Sequence, residues 1–112
     1  MNVKPTWPNR EEFWRDKRVI VTGGAGFLGS NVVDQLRAVG CEQIFVPRSR
    51  EYDLTHMEAV QQLYTDAKPD VVIHLAAKAG VRPSIADPVG YSRVNVMGTS
   101  VLLDEARRAG CE

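Results

Sequence analysis

Apolar residues recur along this chain as short runs separated by helical stripes. Val19 to Thr22 is an unbroken β-branched run and Val71 to Leu75 an apolar one interrupted only by His74, as suits parallel strands buried on both faces. The first strand is expected over Lys17 to Thr22, and a shorter one over Gln43 to Val46. Between the runs, Leu28, Val32, Leu36 and Val39 fall at helical spacing and predict a helix from Phe27 to Val39. Val60, Leu63, Tyr64 and Ala67 repeat at i, i+3, i+4 and i+7, one apolar face of a second helix. A third helix is expected over 88–109, with apolar residues at 94, 96, 97, 101, 102 and 103. They cover more than one stripe, so this helix should be buried on two sides. Strand and helix alternate three times, the order of an α/β protein with a parallel sheet.

The punctuation agrees with these elements. Gly40 should end the first helix in a left-handed conformation, and Pro47 closes the second strand. Thr55 and Glu58 have the spacing of a capping box, Pro69 stops the second helix, and Gly110 caps the third. Asp87-Pro88 supplies an N-cap and a first-turn proline. Residues 1–12 carry Pro5 and Pro8 without periodicity and are expected to form a flexible arm. Phe13 and Trp14 then cover one edge of the sheet.

The chemistry concentrates after the first strand, where glycines stand at 23, 26 and 29. Strand, glycine turn and helix in that order make a phosphate cradle. Gly23 permits the turn, Gly26 lets backbone N–H groups approach an anion, and Gly29 lets the helix pack closely. The pattern is that of a three-layer Rossmann-type parallel sheet, here its N-terminal βαβαβα half with expected strand order 3-2-1. In that order Val19 to Thr22 would be an unpaired edge in these 112 residues. After the second strand, no acid occupies Pro47, Arg48, Ser49 or Arg50. Arg48 and Arg50 suit a ribose 2′-phosphate and favour NADP, while Glu51 keeps NAD in play. Ala76 and Ala77 are small enough for a flat cofactor to lie against the backbone. His74, on the strand rather than in the loop after it, reads as a hydrogen-bonded structural histidine.

Formal net charge is zero, which argues against a nucleic-acid or acidic-membrane partner. No apolar run approaches the ~20 residues of a membrane span, and the N-terminus has no signal-peptide core. Cys41 and Cys111 have no Cys or His nearby, so no metal site is expected. They read as reduced thiols of a cytoplasmic protein.

Thr22-Gly-Gly-Ala-Gly-Phe-Leu-Gly29 resembles the T-G-x-x-G-x-x-G signature of the extended short-chain dehydrogenase/reductases, NAD(P)-dependent epimerases and dehydratases of nucleotide sugars. The resemblance runs from about Phe13 to the last residue, making 13–112 the N-terminal half of an NAD(P)-binding domain. It implies cofactor contacts at Gly23, Gly26, Phe27, Leu28 and Gly29. Asp53-Leu54 resembles the pair that holds the adenine, and His74-Leu75-Ala76-Ala77 the segment beside the cofactor. Lys78 would neutralise phosphates, and Asn95, in a Y-x-x-x-N-x-x-G-T pattern, would organise hydrogen bonds near the nicotinamide half. Arg82 and Ser84 resemble a G-V-R-x-S loop on the sugar-nucleotide side. The resemblance also implies a homodimer through helix 88–109. Residues 13–75 are most similar to GDP-L-fucose synthase-type enzymes, and 76–99 to UDP-glucuronate 4-epimerases. The family's catalytic Ser/Thr and Tyr-x-x-x-Lys are expected outside these residues, leaving no catalytic residue here. Tyr64-Thr-Asp-Ala-Lys68 matches the second motif in letters, but it ends a crossover helix at the wrong edge of the sheet. The alternative is a dinucleotide-binding or redox-sensing module without catalysis.

Overall fold

A computed structural model describes residues 9–77 and 81–111. Strand β1 (Arg18–Thr22) lies between β2 (Gln43–Phe45) and β3 (Val71–His74), all parallel. Val19 stands opposite Ile44 on one side and Val71 on the other. The order is therefore 2-1-3, not the expected 3-2-1, and β1 is the central strand rather than an edge. The cause lies in the crossovers. Helix α2 (Phe27–Ala38) carries the chain from β1 to β2, and α3 (Met57–Ala67) carries it back past β1 to β3. Right-handed crossovers running in opposite directions put their helices on opposite faces. A strand covered on both faces can be apolar throughout, and Val19, Ile20, Val21 and Thr22 are all buried. β2 and β3, at the edges, are only partly buried.

The expected three layers follow. On one face Val19 and Val21 pack with Val33, Leu36 and Cys41, and Trp14 covers that cluster against α2 rather than the sheet edge. Trp14 belongs to a short helix, α1 (Arg10–Arg15), so residues 10–12 are helical rather than part of an arm. The Asn9 side chain caps it by accepting from Glu11 N–H at 2.9 Å. On the other face Val60 and Tyr64 of α3 pack with Leu102 and Val72.

Helix α2 ends as expected. Gly40 has φ 92°, and Cys41 N–H reaches back to the Leu36 carbonyl at 2.9 Å. The start of α3 differs. His56 is its N-cap, without a side-chain cap bond, and no Thr55–Glu58 capping box forms. Thr55 instead donates its N–H and hydroxyl to the Asp53 carboxylate, at 3.0 and 2.6 Å. The stretch expected as a loop around Arg82 and Ser84 is a helical turn, α4 (Val81–Ala86). Pro83 sits in its first turn, where a missing N–H leaves no bond unmade.

The last helix is continuous but changes pitch. α5 (Pro88–Ser92) is capped by Asp87, whose carboxylate accepts from Gly90 N–H at 3.1 Å. A π turn over Arg93–Met97 follows, then α6 (Gly98–Ala109), ended by Gly110 at φ 69°. Leu102 is buried against α3, whereas Val96, Met97 and Leu103 are exposed. Two-sided burial is thus not found among the described residues. Cys41 and Cys111 are free thiols, and burial pushes the Cys41 thiol up. No helix among the described residues is long and apolar enough to cross a membrane.

Candidate functional site

The connections leaving β1 and β3 diverge, so a crevice opens at their carboxyl ends. It is a cleft of about 610 Å³. Its floor is the turn from Thr22 to Gly26. Pro47, Arg48 and Ser49 form one wall with Tyr52 to Thr55, and Leu75 to Ala77 face them together with Val94 of the π turn.

Three glycines shape the floor for different reasons. Gly23 has φ 71°, and a Cβ there would stand 2.9 Å from the Ala76 nitrogen. The β1 and β3 exits can approach this closely because that Cβ is missing. Gly29 is buried, and a Cβ on it would overlap the Gly23 carbonyl oxygen. Gly26 is exposed at φ −77°, an ordinary conformation, with only the Gly23 oxygen at 3.4 Å from an added Cβ. Nothing in the fold asks for glycine there, so the reason for it lies in the space in front. Gly26 is the N-cap of α2 and offers no side-chain cap. The N–H groups of Phe27, Leu28 and Gly29 in the first turn have no helical acceptor, and the dipole end is positive.

The Asp53 carboxyl is held below its usual range by the Thr55 hydroxyl and N–H, and by His56 at 3.1 Å. It lines the cleft as a charged acceptor. Tyr52 is braced from behind: its hydroxyl donates to Asp66 at 2.6 Å and its ring meets Phe45 edge-on. That hydrogen bond pushes the Tyr52 phenol pKa up and Asp66 down. Among the described residues no cluster could hold a metal ion.

A family model described as the NAD dependent epimerase/dehydratase family matches residues 19–112. The chain belongs to this family. Among curated relatives, it is 36% identical over 111 residues to UDP-glucose 4-epimerase of Mycolicibacterium smegmatis, covering 83% of this chain and 36% of that one. It is 35% identical over 95 residues to GDP-L-fucose synthase of Azorhizobium caulinodans, covering 83% and 30%. Among solved structures, a Thermus thermophilus UDP-glucose 4-epimerase in complex with NAD superposes with a TM-score of 0.75 at 37% identity, covering 85% and 35%. The chain spans about a third of the length of these relatives.

Within this family member, the structure brings Gly23, Gly26, Arg48, Asp53, Leu54, Leu75, Ala76 and Ala77 to the cleft. Gly29 lies beneath it. The Phe27 and Leu28 side chains are exposed outside the lining, and their backbone N–H groups belong to the open first turn of α2. Arg50 is exposed and does not line the cleft, whereas Arg48 does. Asn95 is represented there by its neighbour Val94. Lys78 lies outside the described residues, and of Arg82 only the helical backbone is described. Ser84 sits on α4, partly buried.

Of the cleft lining, sequence reasoning did not single out Thr22, Gly24, Ala25, Pro47, Ser49, Tyr52, Thr55 and Val94. Gly24 had a signal, since it follows Gly23 directly and a Cβ on it would meet the Val46 side chain at 2.9 Å. Val94 had none, because its direction is set by the π turn. The Tyr64 motif lies away from the cleft. Tyr64 is buried with its hydroxyl donating to the Leu102 carbonyl at 2.9 Å, and Lys68 is the exposed left-handed C-cap of α3.

Proposed function

We propose that the cleft binds NAD or NADP and that this chain is the NAD(P)-binding portion of a nucleotide-sugar epimerase/dehydratase. The observation that carries it is Gly26: a glycine with no structural need for being one, at the open amino end of α2, on the floor of the cleft. A cradle that any Cβ would begin to fill fits a pyrophosphate. The first-turn N–H groups from Phe27 to Gly29 would hold it, with Lys78 adding charge. Asp53 and Leu54 would hold the adenine, and Leu75 to Ala77 would lie flat under the cofactor, with Asn95 serving the nicotinamide half. Arg48, in the cleft wall, would meet a 2′-phosphate, which favours NADP. When bound, the nicotinamide supplies reversible hydride transfer. The residues of this chain bind and orient it.

The substrate class, a nucleotide sugar, is supported by the names of the relatives; Arg82 and Ser84 would serve its side of the site. The exposed Val96, Met97 and Leu103 support a homodimer through helix 88–109, and the free thiols fit a cytoplasmic protein. Calorimetric titration of the purified chain with NAD and NADP tests the core of this. Saturable binding of either is expected, and its absence from a folded chain would overturn it.

A further inference from the structure

Behind the cleft floor, the completely buried Thr22 side chain joins three groups. Its Oγ1 accepts the Leu75 N–H at 2.9 Å, shared with the Thr22 carbonyl, and the Ala76 N–H at 3.1 Å. It also lies 2.6 Å from Nδ1 of His74. Two amides can only donate, so they occupy both acceptor positions of the hydroxyl. Its single proton must then point at His74 Nδ1, which is left as an acceptor. The neutral ring carries its own proton on Nε2, 3.0 Å from Thr99 Oγ1. Thr99 in turn donates to the Asn95 carbonyl at 2.7 Å, inside the π turn. Each hydroxyl and each ring nitrogen therefore has one direction available.

We propose that His74 is a positioning residue for the dinucleotide cleft, held as the Nε2–H tautomer and tying the Leu75–Ala77 wall to the π turn that presents Val94. This rests on the binding proposed above. His74 does not line the cleft; it acts through Thr22 on one side and Thr99 on the other. The groups facing it are Thr22 of β1, Thr99 of α6 and Tyr64 of α3, the last across a small hollow closed by Val72, Leu102 and Ala106. No charged side chain lines that hollow, and burial pushes the His74 pKa below its ordinary 6.5. A proton on Nδ1 would set a second donor against the Thr22 hydroxyl and break the chain of bonds. Since the folded pKa lies below the unfolded one, stability is level above pH 6.5 and declines as pH falls from there to the folded value.

The test combines a spectroscopic signature with a conservative pair. Nitrogen-15 spectra of the chain at pH 7.5 should show neutral His74 protonated on Nε2; an Nδ1–H ring or an imidazolium overturns the proposal. Thr99→Val keeps the volume and removes the acceptor, and should weaken NAD or NADP binding by about fivefold, the worth of one neutral hydrogen bond. Thr99→Ser keeps the hydroxyl and should restore it. Equal affinity in all three proteins overturns the coupling. If the wild-type chain binds no dinucleotide, the binding proposal fails, and amide exchange decides this one separately. Faster exchange at Leu75 and Ala76 in Thr99→Val than in Thr99→Ser supports it, and equal exchange overturns it. If Thr99→Val does not fold, the wild-type tautomer and the decline in stability below pH 6.5, flattened in His74→Asn, decide in the same way.

Discussion

At the carboxyl ends of β1 and β3 the cleft floor is made of backbone, while at their amino ends a hollow of about 430 Å³ is made of side chains. The cleft has a glycine turn, small residues and a helix amino end. The hollow has Lys17, Arg18, Lys68 and Asp70 around the buried Tyr64. Arg18 and Asp70 largely satisfy each other, with Asp70 accepting the Arg18 N–H at 2.8 Å beside their ion pair. The hollow also carries the only Tyr-x-x-x-Lys of the chain. Parallel strands and their crossover helices leave unspent N–H donors at one edge of the sheet only. Position relative to that edge therefore outweighs motif letters, and an anion has reason to choose the first site.

The glycines allow that contrast to be broken most severely. Gly29→Ala forces a methyl onto the Gly23 carbonyl, a backbone atom that cannot swing aside. We expect at least ~3 kcal/mol of lost stability, the upper range for overpacking, measured by denaturant unfolding. Gly26→Val meets no such obstacle, so its melting temperature should stay within a few degrees of the wild type. Its side chain projects where the anion would sit. Losing two charge-assisted bonds of about 1.5–3 kcal/mol each should weaken dinucleotide binding at least ~100-fold. A folded Gly26→Val with wild-type affinity would remove the distinction between the two ends.

Arg48 sharpens the comparison at the wall of the cleft. Arg48→Ala should weaken NADP at least ~10-fold more than NAD, from one lost contact of about 1.5–3 kcal/mol to a phosphate. Arg50→Ala, outside the lining, should leave the ratio unchanged. Parallel titrations with both cofactors read this directly. Equal weakening of both by Arg48→Ala would show that the arginine is a solvated wall residue with no 2′-phosphate to meet.

Most elements could be read from apolar spacing, because burial against a sheet imposes it. Strand order could not be read that way, yet the residues held a hint. Val19, Ile20 and Val21 are all apolar, whereas the second strand opens with the exposed Gln43. A strand apolar on both faces needs helices on both faces, hence a reversal of direction after β2, which 3-2-1 lacks. The glycine turn was legible because strand, turn and helix are contiguous. The rest of the cleft was not: Tyr52 and Thr55 arrive through the irregular connection after β2, and Val94 through a change of helical pitch with no Pro or Gly inside it. The Thr55–Glu58 capping box failed because α3 starts one residue later, with His56 as its N-cap, and the Asp53 carboxylate takes the Thr55 N–H that the box would give to Glu58. That competition is decided by local geometry rather than spacing.

The smallest effect is expected at the other end of the sheet. Burial, with Cys111 and Glu105 behind it, pushes the Tyr64 phenol well above its ordinary pKa, so it stays protonated at neutral pH. Its hydroxyl is already committed to the Leu102 carbonyl. Tyr64→Phe removes that one bond and keeps the ring packed between Val60 and Leu102. The cost should be about 1 kcal/mol, seen as a fall of ~4–8 °C in melting temperature for a domain of this size. Dinucleotide affinity should not move, because the cleft lies along the opposite edge. We also expect no turnover of nucleotide sugars by these 112 residues, since their one Tyr-x-x-x-Lys is held away from any bound cofactor. Measurable turnover lost in Tyr64→Phe would mean that chemistry occurs at the amino edge, and the two ends of the sheet would have to exchange roles.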